Sequence, residues 1–211
     1  MALAYLLCKP TAKWLKMNLN IPLIFVLSII PDVDIVVGAL IGMEIHRGPM
    51  HSVIAALLVF IPFFVAYRKK AVPYFLALVS HSLIGDFFIG GQLQLFWPVT
   101  QAEFGFHELG IPWGYIDINS TLNIAIELTL FAGAVVLLAK TKDFRQFFQN
   151  KKSNLILAIP IFTVLLPTFA GYPLTVPLLM IPAHLFYLIL FSVSVLIALV
   201  FLFRTLLHRS R

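Results

Sequence analysis

The stretch EIHRGPMHS, residues 44–52, gathers two histidines, an arginine, a glutamate and a serine in a chain that is 61% hydrophobic and only 11% charged. Neutral imidazoles bind divalent ions and carry protons near neutral pH. Gly48 and Pro49 interrupt any regular helix between His46 and His51. Pro49 suits the first position of a new helix, where its missing amide donor is not needed. His46 is then expected in a loop and His51 in the first helical turn, so that the two rings can converge on one ion. Arg47 between them is always protonated and offers a planar fork of donors to a phosphate or carboxylate. Taken alone, the stretch could also be a polar loop anchored at lipid headgroups by its arginine.

Two further stretches favour chemistry. In IIPDVDIVV (29–37), Pro31 breaks or kinks a helix just before Asp32. Asp32 and Asp34 share a face on an extended segment and diverge on a helix. In SHSLIGDFF (80–88), His81 and Asp86 precede Gly90 and Gly91, which are expected to end that helix. A regular α-helix separates residues five apart by about 140°. Gly85 or a π-bulge would bring them together. An ionisable group at membrane depth costs a few kcal/mol unless it is paired, hydrated or coordinated. None of the apolar runs contains a Lys or Arg to neutralise these acids, and Arg47 alone lies nearby. A bound cation is the favoured partner. Interhelical hydrogen bonding is the alternative.

The elements that must position these groups are membrane helices. Charged residues are about half as frequent as the roughly 25% usual in soluble domains, and long apolar runs recur from residue 21 onward. The expectation is an all-α, multi-pass transmembrane bundle, a single integral membrane domain over 1–211. Six spans are expected near 21–41, 53–67, 72–89, 122–139, 155–171 and 183–203, the second of them short. Residues 1–20, with Lys9, Lys13, Lys16 and Trp14, are expected to form an interfacial helix on the membrane surface. Their lysines follow the apolar residues, unlike a cleaved signal. Residues 21–121 would then hold the metal-site core and 122–211 would scaffold it. Cys8 is the single cysteine, which excludes an internal disulfide or a Cys-rich metal site.

Net charge is +6, but its placement favours a membrane over nucleic acid as partner. With six spans, all but one of the 15 Lys and Arg residues fall on one face, which the positive-inside rule makes cytoplasmic together with both termini. Arg47 is the exception. The chemistry-bearing residues gather on the other, extracytoplasmic face. The loop 90–121 lacks Lys and Arg and is rich in aromatics. With His107 and Glu108, and Glu127 beyond it, it could cap a site or form an interfacial aromatic belt.

In their order, PDVD, HRGPMHS and a histidine–aspartate helix followed by glycines and FWP resemble the LexA-regulated, membrane-bound, metal-dependent hydrolase family (YdjM-like), over roughly residues 20–100. The resemblance implies multi-pass membrane proteins distantly similar to enzymes that cleave phosphate esters. It implies Asp32, Asp34, His46, His51, His81 and Asp86 as ligands, with Arg47 and Ser52 on the substrate side or behind the ligands. The chain departs from the family pattern in three places. It has no histidine before His46, where family members carry a Thr-His pair. Its histidine–aspartate spacing is five rather than the commoner four. Met50 stands where threonine commonly precedes the second loop histidine.

The function expected is therefore a metal-dependent hydrolase acting on a phosphate ester, conceivably of a lipid. One or two divalent ions are expected, zinc first, with manganese or magnesium as alternatives. Asp34 or Asp86 would move a proton, and Arg47 would steady developing negative charge. A metal-ion or proton transporter and a structural metal-binding protein are the competing expectations. Substrate and oligomeric state are not legible.

Overall fold

The protein was analysed as a computed structural model, which describes residues 1–89, 91–106, 119–169 and 176–209. Helix α1 covers Ala2–Trp14. Asn20 then caps α2 (Ile21–Leu27), its side chain accepting from the Leu23 amide at 3.2 Å. The chain bends by 47° between Ile21–Leu27 and Ile30–Ile41, just ahead of Pro31, which opens a single 3-10 turn over Ile30–Asp32. Helix α3 (Val33–Ile41) follows and stops at Gly42, whose φ of 68° suits a residue without a side chain. A second proline, Pro49, starts the 3-10 turn Pro49–His51. Ser52 then caps α4 (Val53–Tyr67), and α5 (Val72–Ser80) returns antiparallel to it. The long helix α6 (Thr121–Thr141), the broken helix Lys152–Phe169 and the final helix Ile181–Arg209 complete the bundle. Among the described residues there is no β-strand, only an isolated antiparallel pairing of Leu93 with Phe104.

The all-helical class and the apolar membrane helices are as expected, but six spans are not. Among the described residues, three helices are long and apolar enough to cross a membrane: Thr121–Thr141, Lys152–Phe169 and Leu178–His208. A fourth is available if the bent pair Ile21–Leu27 and Ile30–Ile41 counts as one span. The shortfall lies in α4 and α5. Helix α4 has 15 residues, about 22 Å at 1.5 Å per residue, against roughly 30 Å of hydrocarbon. Helix α5 has nine residues and runs on as the π-turn His81–Asp86. Neither α4 nor α5 meets the length and composition needed for a crossing.

The N-terminal segment also departs from the expectation of a helix lying on the surface. One face of α1 is built into the core, with Tyr5 and Cys8 fully buried, and it packs against α2, α5 and α6. The lysines and Trp14 occupy its outer face and end, which is why the segment reads as amphipathic. At the core's centre, Phe25 meets Tyr5, Phe147, Tyr187 and Phe191 at ring-centroid distances of 5.6–6.1 Å. One end of the bundle is tied by polar contacts. The Lys9 ammonium lies 2.5 Å from the Asp143 carboxylate, and the Tyr5 hydroxyl donates to that carboxylate at 2.8 Å. The Ile21 amide donates to Gln146 Oε1 at 3.0 Å.

Candidate metal centre

The three sequence stretches arrive at one place. Asp32 ends the 3-10 turn after the bend, His51 ends the 3-10 turn before α4, and His81 and Asp86 bound the turn that follows α5. That last turn is a π-helix spanning His81–Asp86. Its wider winding brings residues five apart onto one face, and His81 Nε2 lies 3.2 Å from Asp86 Oδ2.

Four ligand atoms converge. His81 Nε2 is 3.0 Å from Asp32 Oδ1, and His51 Nε2 is 3.2 Å from Asp86 Oδ2 and 3.6 Å from Asp32 Oδ1. A tetrahedral ion bound at about 2.0–2.1 Å needs its ligand atoms roughly 3.3–3.4 Å apart. The four nitrogen–oxygen distances, 3.0–3.6 Å, bracket that value, and His51, His81 and Asp86 form one set whose ligand atoms all lie within 4.8 Å of one another. The His51 nitrogens and Asp86 Oδ2 are buried without a hydrogen-bond partner despite these short distances. Misaligned donors and acceptors in this arrangement fit a cage of ligands around an ion better than a hydrogen-bonded network. A second set, Asp32, His46 and His51, also brings one ligand atom each within 4.8 Å of the others.

Asp34 and His46 sit on the opposite side of His51. Asp34 Oδ2 is 3.0 Å from His51 Nδ1, and Asp34 Oδ1 pairs with His46 Nδ1 at 3.0 Å. Asp32 and Asp34 therefore do not share a face. They diverge, as helical residues two apart must, and approach the two nitrogens of one imidazole from different sides. Asp34 is 1% exposed and His51 fully buried. Burial alone would lower the His51 pKa, but the carboxylates of Asp32, Asp34 and Asp86 outweigh it and push it up to about 11.

Asp32, His81 and Asp86 face a cavity of about 340 Å³, whereas Asp34 does not. Arg47 lines the same cavity. It has φ of 64°, and its guanidinium passes so close to Gly91 that an added Cβ there would lie 2.8 Å from Nη1. The Arg47 carbonyl accepts from the Gln94 amide at 3.0 Å, and the Val53 amide donates to the Leu95 carbonyl at 3.0 Å. Ser52 belongs to this clamp rather than to the cavity: its hydroxyl donates to the Trp97 carbonyl at 2.6 Å and accepts from the Ala55 amide at 3.2 Å. It holds the 93–97 segment against the start of α4. His107 and Glu108 lie outside the described residues. Glu127 lines the cavity, with His184 and Tyr187. The sequence gives His184 only as a residue near the headgroups and offers no signal for Tyr187, although three-residue spacing on a helix puts the two on one face.

The family described as YdjM inner membrane protein matches residues 1–175. The chain belongs to this family. No curated protein and no solved structure matches it. The match extends beyond both ends of the motif-bearing region and takes in α1 and α6, which contribute to the cavity wall. It supports a membrane location.

Proposed function

We propose that the chain is a membrane-embedded, metal-dependent hydrolase of a phosphate ester, with zinc the best fit to its ligand set and its site on the extracytoplasmic side. The observation that carries this is the set of four ligand atoms, two imidazole and two carboxylate, brought together from three separate elements at nitrogen–oxygen distances of 3.0–3.6 Å. The N-terminus, expected on the cytoplasmic side, instead lines the same cavity as Asp32 and lies at the site's end of the bundle. Two nitrogens and two oxygens suit zinc, and the all-oxygen preference of magnesium fits less well.

Asp32, His51, His81 and Asp86 would hold the ion. A divalent ion there supplies Lewis acidity and lowers the pKa of a water towards neutrality. Asp34 fixes the ring of His51 from behind, a positioning role in place of the proton transfer expected of it. Asp86, 18% exposed and facing the cavity, is the carboxylate placed to take a proton from water. Arg47, on the same wall, offsets negative charge gathering on the phosphoryl oxygens. The test is hydrolysis of bis(p-nitrophenyl) phosphate by purified protein, stripped with a chelator and then reloaded with zinc. Activity that disappears on stripping and returns on reloading supports the proposal. Activity indifferent to chelation, or none from a fully loaded protein across a range of phosphate esters, counts against it.

A further inference from the structure

The cavity wall carries a second set of polar groups that the metal chemistry does not use. Besides Asp32, His81 and Asp86, it is lined by Glu127 of α6, by His184 and Tyr187 of the final helix, and by Met1, whose buried amino group interacts with both Glu127 and Asp32. Tyr187 is 5% exposed, and its buried hydroxyl has no hydrogen-bond partner; neither has the buried Nδ1 of His184. Rings of Phe25 and Phe131 hold the tyrosine ring at centroid distances of 5.7 and 5.5 Å, so its hydroxyl is fixed in place. Unsatisfied groups of this kind in a bilayer-embedded bundle cost free energy until something occupies the space. The rest of the wall is largely apolar, with Phe131 and Met180 among its residues.

We infer that this cavity is the head-group site of a membrane phospholipid, and that Tyr187, His184 and Glu127 recognise a hydroxyl on that head group while its phosphate faces Arg47 and the metal-ligand cluster. The inference rests on the phosphoesterase proposal for the identity of the reacting end. A hydroxyl fits beside these groups because it can donate to a carboxylate or imidazole nitrogen and accept from a phenol, adding no charge to the Met1 amine and Glu127 carboxylate already in the cavity wall. The source of the ligand is the surrounding bilayer, since the cavity is framed by α6, the broken helix Lys152–Phe169 and the final helix, all long and apolar enough to cross it.

Lipid retention tests this without turnover. The full chain is purified in detergent with its metal chelated and incubated with equal amounts of phosphatidylglycerol, phosphatidylethanolamine and phosphatidic acid. Retained lipid is then counted by native mass spectrometry. The expected result is phosphatidylglycerol retained about five- to tenfold over the other two, the discrimination one or two hydrogen bonds give. Tyr187→Phe keeps the ring packing, and Glu127→Gln keeps the shape; each should level the preference without changing metal content. Equal retention of the three lipids by the unmodified protein, a preference for the ethanolamine lipid, or a preference intact in both variants overturns the inference. Selective retention with no cleavage after zinc is restored would leave this site standing and remove the hydrolase proposal. Cleavage without head-group preference would do the reverse.

Discussion

His51 is the residue on which the site turns. Carboxylates flank both its nitrogens, those of Asp32 and Asp86 at one and that of Asp34 at the other. Its neighbours therefore divide into two kinds that substitution can separate. Asp34→Asn should weaken zinc affinity by about 10–100-fold, as loss of a group orienting a ligand does, whereas Asp86→Ala should abolish tight binding. Competition against a chromogenic chelator measures both, and equal effects would collapse the distinction. Arg47→Ala should leave metal content intact and lower kcat by about 10²–10³, the usual cost of removing one group that stabilises developing charge. Loss of metal in that variant would move Arg47 into the ligand scaffold. With the His51 pKa pushed up to about 11, the metal-free imidazole carries a proton at neutral pH that an ion must displace. Zinc affinity should therefore rise with pH, with proton release visible by calorimetry in buffers of different ionisation heat. An affinity flat between about pH 6 and 8 would contradict this. The residue types announced the chemistry here: unpaired acids and histidines in an apolar chain point to a cation. The sequence did not show which acid binds and which orients, because that depends on which side of one imidazole each reaches.

At the scale of elements, the interruptions were legible and carry the site. Pro31 marks the bend, Pro49 opens the turn that presents His51, and Ser52 caps α4. Of the two ways to reconcile a five-residue spacing with a shared ion, distortion at Gly85 or a π-bulge, the structure takes a π-turn, which spans His81–Asp86. A length test follows. Deleting Ile84, an exposed residue within that turn, would leave histidine and aspartate four apart, the spacing an ordinary α-turn aligns. Metal binding should survive, with affinity within about tenfold. Inserting an alanine at the same point should abolish it. Retention in the insertion variant would show that the turn does not set the pair. Helix α1 was misjudged because a helix with one apolar face and a lysine-bearing face reads alike whether it rests on lipid or on protein. Its buried Tyr5 and Cys8 settle which. The convergence of Glu127 with His184 and Tyr187 was illegible for a related reason: it arises only when α6 docks against the final helix.

At the scale of the whole molecule, a charged end and a chemical end are separated by an aromatic core. Phe25 joins four other rings in that core, so Phe25→Ala should destabilise the bundle by roughly 3–5 kcal/mol, seen as a lower melting temperature in detergent. An unchanged melt would mean that the rings do not hold the helices together. Six crossings are not supported because α4 is short and α5 changes its winding at His81, and hydropathy weighs composition rather than unbroken length. Sidedness can be read with introduced cysteines, since Cys8 is buried and should stay silent to labelling. Gln101→Cys should react with an impermeant maleimide from outside, and Asn150→Cys only after permeabilisation. The reverse pattern would turn the site to the cytoplasm.

The most direct test of the central claim is elemental analysis of purified protein, unmodified and as His51→Ala and Asp86→Ala. The account predicts about one tightly held divalent ion per chain and its loss in both variants with the helical fold retained. An unmodified chain that binds no divalent ion, or folded variants that keep theirs, would contradict it.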